Sequence, residues 1–163
     1  MSSEAAIDIE LEVEQFLTFE LADEAYGVDI LKVQEIRGWE SVREIPNTPD
    51  YIKGALNLRG TIVPIVDLRE RFNMEKMEYS PTTVVIVLVI ENGQGKNVMG
   101  VVADAVSDVL DIHGNEIKSS PQLGSKIDTR YMRGMFVGKK QMVMLLEVDK
   151  LLDTEEFKAI KGL

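Results

Sequence analysis

The sequence predicts a mainly β protein made of two small five-stranded barrels that share one hydrophobic core, with a few short helices. Short runs of β-forming residues alternate with turn residues along the chain, which is typical of an all-β fold. Motifs of the first half recur in the same order in the second half, which indicates an internal repeat. Residues 84–90 read VVIVLVI, so a strand here would be apolar on both faces and must be buried on both sides.

The first half begins with a predicted hairpin. Residues 16–21 (FLTFEL) and 26–28 (YGV) contain β formers, and the Asp-Glu pair between them is typical of a turn. Residues 29–36 (DILKVQEI) fit either a short helix or a strand, because apolar residues recur at helical spacing but the run is short. Pro46 and Pro49 exclude a helix across the connection that follows.

Residues 51–72 (YIKGALNLRGTIVPIVDLRERF) are predicted to form a strand, a tight turn, a second strand and a short helix. Gly60 suits the turn because it tolerates a positive φ angle. Asp67 precedes the helical segment and can accept hydrogen bonds from the free N–H groups of its first turn. Asn57 and Arg59 are two residues apart, so their side chains leave the same face of the strand.

The second half repeats this alternation of strands and turns. The first predicted elements are a polar linker (73–83), a buried strand (84–90), a turn with two glycines (91–97) and a return strand (98–102). A loop (119–128) and a final strand–turn–strand–helix run (132–152) follow. The final helix is expected to begin at Asp149, as the earlier helix begins at Asp67.

The two halves match at offsets that grow along the chain from 69 to 73, 80 and 82 residues, as loop insertions accumulate. The matched positions include Tyr51 with Tyr131, Gly54 with Gly134, Val33 with Val106, and Asp67 with Asp149. A unit of roughly 70 residues cannot cover a large open sheet, and closure into a barrel removes exposed strand edges. We therefore expect two barrels side by side; the alternative is a single mixed sheet with accidental similarity.

Composition limits the possible functions. The chain has 163 residues, 45% of them hydrophobic, and a net charge of −10, which disfavours binding to nucleic acid or anionic lipid. The absence of cysteine excludes disulfides and fits a reducing cytoplasm. Residues 1–14 are acidic, do not resemble a secretory signal, and are expected to be a disordered tail. The globular domain is predicted over residues 15–157, followed by a frayed end at 158–163.

No catalytic or metal motif stands out. The single histidine, His113, has no neighbouring nucleophile motif, the carboxylates lack the spacing of a calcium loop, and the glycines do not form a phosphate-binding motif. The apolar run at residues 84–90 is far shorter than the roughly 20 residues that span a bilayer. We therefore expect a non-enzymatic protein without a cofactor, a metal or a membrane-inserted segment.

Several long segments carry a resemblance to a known family: EAYGVDILKVQEIRG at 24–38, NTPDYIKGALNLRGTIVPIVDLRERF at 47–72, VVIVLVIENG at 84–93 and VMGVVADAVSDVL at 98–110. They resemble the CheW family of bacterial chemotaxis coupling proteins over residues 15–157. The resemblance implies two SH3-like barrels and a cytoplasmic scaffold without catalytic activity. It also implies recruitment to membrane-associated receptor arrays, where the scaffold links the cytoplasmic tips of chemoreceptors to the regulatory domain of the kinase CheA, in assemblies that can close into rings.

The resemblance further implies a partner-binding region at five positions: Val33, Glu35, Gly54, Asn57 and Arg59. Simpler roles remain open for most of them. Val33 could belong to the core and Gly54 could serve only a turn. Glu35 could be a solvated charge, and Arg59 could form a salt bridge within the protein.

Two other functions remain open: a CheW-like scaffold of a kinase pathway outside chemotaxis, or a small β-barrel that binds a ligand or nucleic acid. The acidic charge and the lack of a basic aromatic platform argue against nucleic acid.

Overall fold

The computed structural model describes residues 12–91, 95–119, 128–139 and 141–161. Over these residues it contains ten strands and two α-helices, joined by short 3₁₀ turns. The strands are β1 (Val13–Leu21), β2 (Glu24–Asp29), β3 (Val33–Gly38), β4 (Ile52–Leu58), β5 (Thr61–Asp67), β6 (Val84–Glu91), β7 (Lys96–Ala103), β8 (Ala105–His113), β9 (Met132–Val137) and β10 (Met142–Leu146). The helices are α1 (Leu68–Arg71) and α2 (Thr154–Lys161).

The strands form two five-stranded sheets. Sheet I has the order β8-β1-β2-β10-β9, and sheet II has the order β3-β6-β7-β5-β4. The mainly β fold with two five-stranded units is therefore confirmed. Each sheet, however, combines strands from both halves of the chain, so neither unit is one contiguous half as the repeat alone suggested.

The strand pairing shows the internal repeat. Replacing β1 to β5 by β6 to β10, and the reverse, converts the order of sheet I into that of sheet II. Thr18 pairs with Gly27 in sheet I, and Val87 pairs with Gly100 in sheet II. The same glycines pair in parallel with Leu145 and Ile65, respectively. The alternative of a single mixed sheet is therefore wrong.

The match of Asp67 with Asp149 is corrected by the backbone hydrogen bonds. The Asp67 N–H donates to the Tyr51 carbonyl at 2.8 Å, and the Glu147 N–H donates to the Tyr131 carbonyl at 2.8 Å. Glu147 is thus the counterpart of Asp67, at the same offset of 80 residues that relates the two tyrosines. A 3₁₀ turn, Val148–Lys150, replaces the helix expected at Asp149, and α2 begins only at residue 154.

Strand β6 explains how the two sheets share a core. Val85 and Val87 pack inside sheet II, whereas Ile86, Leu88 and Ile90 join a larger cluster on the other face of the strand. That larger cluster also contains buried residues of β1 and β2 from sheet I. A third cluster, which includes Phe16, forms a separate core on sheet I. Burial of β6 on both faces therefore produces the shared core that its apolar sequence predicts.

Neither sheet closes into a complete barrel. The segment that follows the edge strand β3 meets the other edge strand, β4, through an isolated antiparallel bridge between Arg43 and Ala55. The residues after Arg43 include Pro46 and Pro49, which lack an N–H group and so cannot extend the ladder. An isolated bridge between Lys118 and Met135 stands at the equivalent place in sheet I.

The structure confirms some local predictions and shifts the limits of others. Residues 30–32 form a 3₁₀ turn before β3, so the ambiguous segment 29–36 is mainly a strand. Asp67 caps α1 by accepting a hydrogen bond from the Glu70 N–H at 3.2 Å, as predicted. β1 begins at Val13, within the predicted tail, and α2 continues into the predicted frayed end. Residues 1–11 and most of the predicted loop at 119–128 lie outside the described residues.

Candidate functional site

Four of the five predicted partner-binding residues lie on strands of sheet II, and the fifth lies in one of its turns. Val33 and Glu35 belong to β3, Gly54 and Asn57 belong to β4, and Arg59 occupies the turn between β4 and β5. β3 and β4 are the two edges of the sheet, yet Arg59 Nη2 donates to Glu35 Oε1 at 3.0 Å. The curvature of sheet II thus brings residues from its opposite edges to one place.

The turn that carries Arg59 has a constrained backbone. Leu58 pairs with Thr61, which leaves a two-residue loop of Arg59 and Gly60 with φ angles of +52° and +88°. Two positive φ angles are the requirement of the type I′ turn, whose twist matches that of a hairpin. The Asn57 side chain also accepts a hydrogen bond from the Gly60 N–H at 2.9 Å. The hairpin therefore holds Arg59 at a defined position.

The Arg59 side chain remains accessible, with 71% of its surface exposed, although it is paired. Glu35 is shared with Arg37, at 3.9 Å, and Arg37 also contacts Glu40 at 3.1 Å. Exposed ion pairs of this kind contribute about 0–1 kcal/mol to stability. The guanidinium can consequently exchange Glu35 for another acceptor at little cost.

The other predicted residues support the fold around this pair. Val33 is half-buried and packs against the shared core. Gly54 has a φ of +146°, and a Cβ atom at this position would overlap the backbone oxygen of Arg43. Glycine is therefore required at position 54 because residues 42–43 approach its backbone closely. Val33 contributes to the fold through its packing against the core. Of the five, Arg59 and Glu35 present charged groups for contact with another molecule.

A groove of about 760 Å³ adjoins the β4–β5 hairpin. Its wall includes Ile45, Pro46, Leu56, Asn57, Ile62 and Ile160. Ile62 lies opposite Asn57 in the β4–β5 register and has 48% of its surface exposed. The predicted turn at Gly60 implies this pairing, so Ile62 could have been found from the sequence. Ile160 could not, because it reaches the groove from α2 at the far end of the chain.

A polar cluster attaches α2 to α1 and to the residue that precedes β4. Glu156 accepts hydrogen bonds from the Tyr51 hydroxyl and from Arg71 Nη2, the latter at 3.1 Å. The Arg71 guanidinium lies 4.2 Å from the centre of the Tyr51 ring, and its Nε donates to the Leu151 carbonyl at 2.9 Å. Burial, together with the hydrogen bond to Glu156, raises the pKa of Tyr51 to about 12. Tyr51 is therefore protonated, and can donate this hydrogen bond, at neutral pH.

The structure also bears on metal sites and membrane segments. Among the described residues, no group of three or more His, Asp and Glu side chains could hold a metal ion. No helix of the described chain is long and apolar enough to cross a membrane. His113 ends β8, and its backbone N–H donates to Glu116 at 2.8 Å.

Comparison with known proteins identifies the family. The CheW-like domain family matches residues 15–156. The chemotaxis protein CheW of Klebsiella aerogenes is 47% identical over 143 residues, which cover 88% of this chain and 84% of that protein. CheW of Rhizobium meliloti is 33% identical, with coverage of 89% and 91%.

The solved structures include a similar fold. The crystal structure of the scaffolding protein TtCheW from Thermoanaerobacter tengcongensis matches with a TM-score of 0.79 and 33% identity. The match covers 89% of this chain and 91% of that chain. Sequence and fold agree over the same region, and the chain belongs to the CheW-like domain family.

Proposed function

We propose that this protein is a non-enzymatic scaffold that couples transmembrane chemoreceptors to the histidine kinase CheA and so allows receptors to control kinase autophosphorylation. Membership of the CheW-like family supports this proposal, because related members are chemotaxis and scaffolding proteins. In this proposal the protein works in the cytoplasm and joins receptor arrays at the membrane, where it alternates with the CheA regulatory domain in ring assemblies.

The observation that carries the proposal is the Arg59–Glu35 pair at the β4–β5 turn, because Asn57 and Thr61, which flank this turn, line the largely apolar groove. A chemoreceptor tip that docks on the hairpin could supply a carboxylate or carbonyl oxygen to Arg59 in place of Glu35. The planar guanidinium offers several donors in a fixed arrangement, which favours such directional recognition. Because the type I′ turn already restricts the backbone at Arg59, docking would lose less conformational entropy than it would on a flexible loop.

The groove complements this polar contact. The side chain of Ile62 is half exposed on the hairpin, and Pro46 and Leu56 line the adjacent wall. Interfaces commonly combine an apolar centre with directional polar contacts at the rim. A helical segment with an apolar stripe could therefore bury that stripe against Ile62 while a polar group beside it reached Arg59.

Replacing Arg59 by Ala tests the proposal in a reconstituted mixture of receptor cytoplasmic fragments, CheA and ATP. We expect receptor affinity to fall by roughly tenfold or more, because a hydrogen bond to a charged group contributes about 1.5–3 kcal/mol. Receptor-dependent CheA autophosphorylation should fall with it, and Arg59→Lys should rescue poorly because lysine lacks the planar fork.

Arg130→Ala is the matched control. Arg130 has 65% of its side chain exposed, pairs with Asp128 at 3.4 Å and lies 4.8 Å from the centre of the Tyr131 ring, so the change removes a surface ion pair and one ring contact away from the β4–β5 hairpin. This control should activate CheA normally. Unchanged receptor binding and activation in Arg59→Ala would contradict the assigned role of Arg59. A large fall in its melting temperature would show instead that Arg59 is structural.

A further inference from the structure

The C-terminal helix α2 is an addition to the repeated fold. At the offset of 80 residues, its positions correspond to 74–81, which form neither a helix nor a strand. All ten strands pair without any contribution from α2. The helix therefore lies outside the strand framework, although it contributes buried side chains to the shared core.

The attachment of α2 combines one apolar face with one polar cluster. Phe157 and Ile160, three residues apart, are buried against the shared core. Glu156, in the first turn of the helix, accepts hydrogen bonds from Tyr51 and Arg71. It also forms a capping pair with Asp153: the Asp153 N–H donates to Glu156 at 3.1 Å, and the Glu156 N–H donates to Asp153 at 2.7 Å. A helix of eight residues is too short to be stable in water without such tertiary contacts. Loss of the Glu156 contacts should therefore loosen the whole helix.

The same helix forms part of the groove. Ile160 lines the groove together with Asn57 and Ile62 of the β4–β5 hairpin. Undocking of α2 would remove this wall and uncover the apolar surface beneath Phe157 and Ile160. The shape of the groove is thus linked to whether α2 is docked.

We propose that α2 is a hinged wall of the groove, held closed by Glu156, and that the docked helix is the state competent to bind a receptor helix. This inference rests on the proposed function for the identity of the partner. Thermodynamic linkage then requires the reciprocal effect: a partner that binds the closed groove must also stabilise the docking of α2.

Hydrogen exchange of the full chain tests the hinge without any partner. In Glu156→Ala, we expect α2 amides to exchange at least tenfold faster than in Asp153→Ala, which removes the Asp153 side chain from the capping pair but keeps Glu156 in contact with Tyr51 and Arg71. The amides of β6 and β7 should keep wild-type rates in both variants. Glu155→Ala is the matched control, because Glu155 is an exposed neighbour on the same first turn. It should leave exchange unchanged. Equal acceleration of α2 and the central strands in Glu156→Ala would overturn the proposal, since α2 would then open only with the global fold.

Binding measurements test the link to the groove. A receptor cytoplasmic fragment should bind Glu156→Ala at least fivefold more weakly than Glu155→Ala, and it should slow exchange of α2 in the wild type. Faster exchange of α2 with unchanged affinity would overturn the link. If the wild type does not bind the fragment, the proposed function fails, while hydrogen exchange and the dye measurement below still test the hinge.

Binding of an apolar fluorescent dye tests the opening of the groove without a partner. The dye should bind Glu156→Ala more strongly than Glu155→Ala, and equal dye binding would contradict opening of the groove.

Discussion

Arg59 has a left-handed backbone, with φ at +52°, although it carries a Cβ atom. A residue other than glycine in this region is strained by about 1–2 kcal/mol. Its side chain is largely exposed and pairs only at the surface, with Glu35. The backbone conformation of Arg59 therefore lowers the stability of the fold, and its side chain adds almost nothing to that stability. This combination agrees with a role in recognition.

Replacing Arg59 by Gly should separate recognition from stability. Glycine relieves the strain at positive φ but adds conformational entropy to the unfolded chain, and the two effects are of similar size. We expect the free energy of unfolding in urea to stay within about 1 kcal/mol of wild type, whereas receptor-dependent CheA activation falls as in Arg59→Ala. A loss of several kcal/mol would show that the guanidinium holds the sheet edges together.

Gly54 should behave in the opposite way. Its φ of +146° and the nearby Arg43 oxygen leave no room for a methyl group, so Gly54→Ala should force the backbone apart. We expect a loss of about 2–3 kcal/mol in unfolding free energy. Gly38→Ala is the control, because a Cβ at Gly38 meets nothing within 4 Å. Equal stability of the two variants would disprove the steric role of Gly54 and would favour a role in partner contact instead.

At the scale of elements, Tyr51 connects β4 to α2. It immediately precedes β4, and its hydroxyl reaches Glu156 on the helix. Tyr131, its counterpart in the repeat, also contacts Arg71, with the guanidinium 5.3 Å from its ring centre. Both repeated tyrosines thus meet the same arginine, and among the described residues the Tyr51 hydroxyl alone of the two donates to the added helix. The repeat therefore became asymmetric where α2 docks.

Alkaline pH should weaken this attachment. The pKa of Tyr51 is raised to about 12 in the folded protein, above an unfolded value near 10, so its contribution to stability is fully present below pH 10. That contribution should be lost as the pH rises from about 10 through about 12. Tyr26 and Tyr79 also have raised pKa values, so Tyr51→Phe is needed to isolate the effect.

Urea unfolding at pH 8 and pH 11 measures this difference. Stability should fall less steeply with pH in Tyr51→Phe than in the wild type, because the variant has one fewer group that ionises only on unfolding. Parallel pH dependence of the two proteins would mean that the Tyr51 hydroxyl is not held in the folded state.

At the scale of the whole molecule, the halves of the chain exchange strands. β1 and β2 pair with β8 and β10, and β3, β4 and β5 share their sheet with β6 and β7. Neither half contains a complete sheet or a complete core. The molecule should therefore fold as one cooperative unit, although its two halves repeat the same strand arrangement.

Splitting the chain in the polar linker tests this cooperativity. Fragments 1–77 and 78–163 should each lack a cooperative thermal transition, because each would expose the apolar faces that the other covers. Mixing them should restore a β-rich circular dichroism spectrum and a sharp transition. Cooperative melting of fragment 1–77 by itself would show that the first half forms its own closed barrel.

Local physics made much of this structure predictable. The turn at Gly60 and the cap at Asp67 depend on neighbours within three residues, and the double burial of β6 follows from its unbroken apolar run. The offsets between Tyr51 and Tyr131 and between Gly54 and Gly134 survive in the backbone pairing. Each of these features is encoded by residues close together in the chain, or by a repeat that the chain carries twice.

The tertiary structure alone decided which strands became neighbours. Alternation of apolar residues determines which face of a strand is buried, but every strand offers the same N–H and carbonyl groups to a partner. Pairing of β3 with β6 and the curvature of sheet II placed Glu35 beside Arg59, and docking of α2 placed Ile160 beside Ile62. Those contacts join residues far apart in the chain, so they arise only after the core has selected one arrangement of the strands.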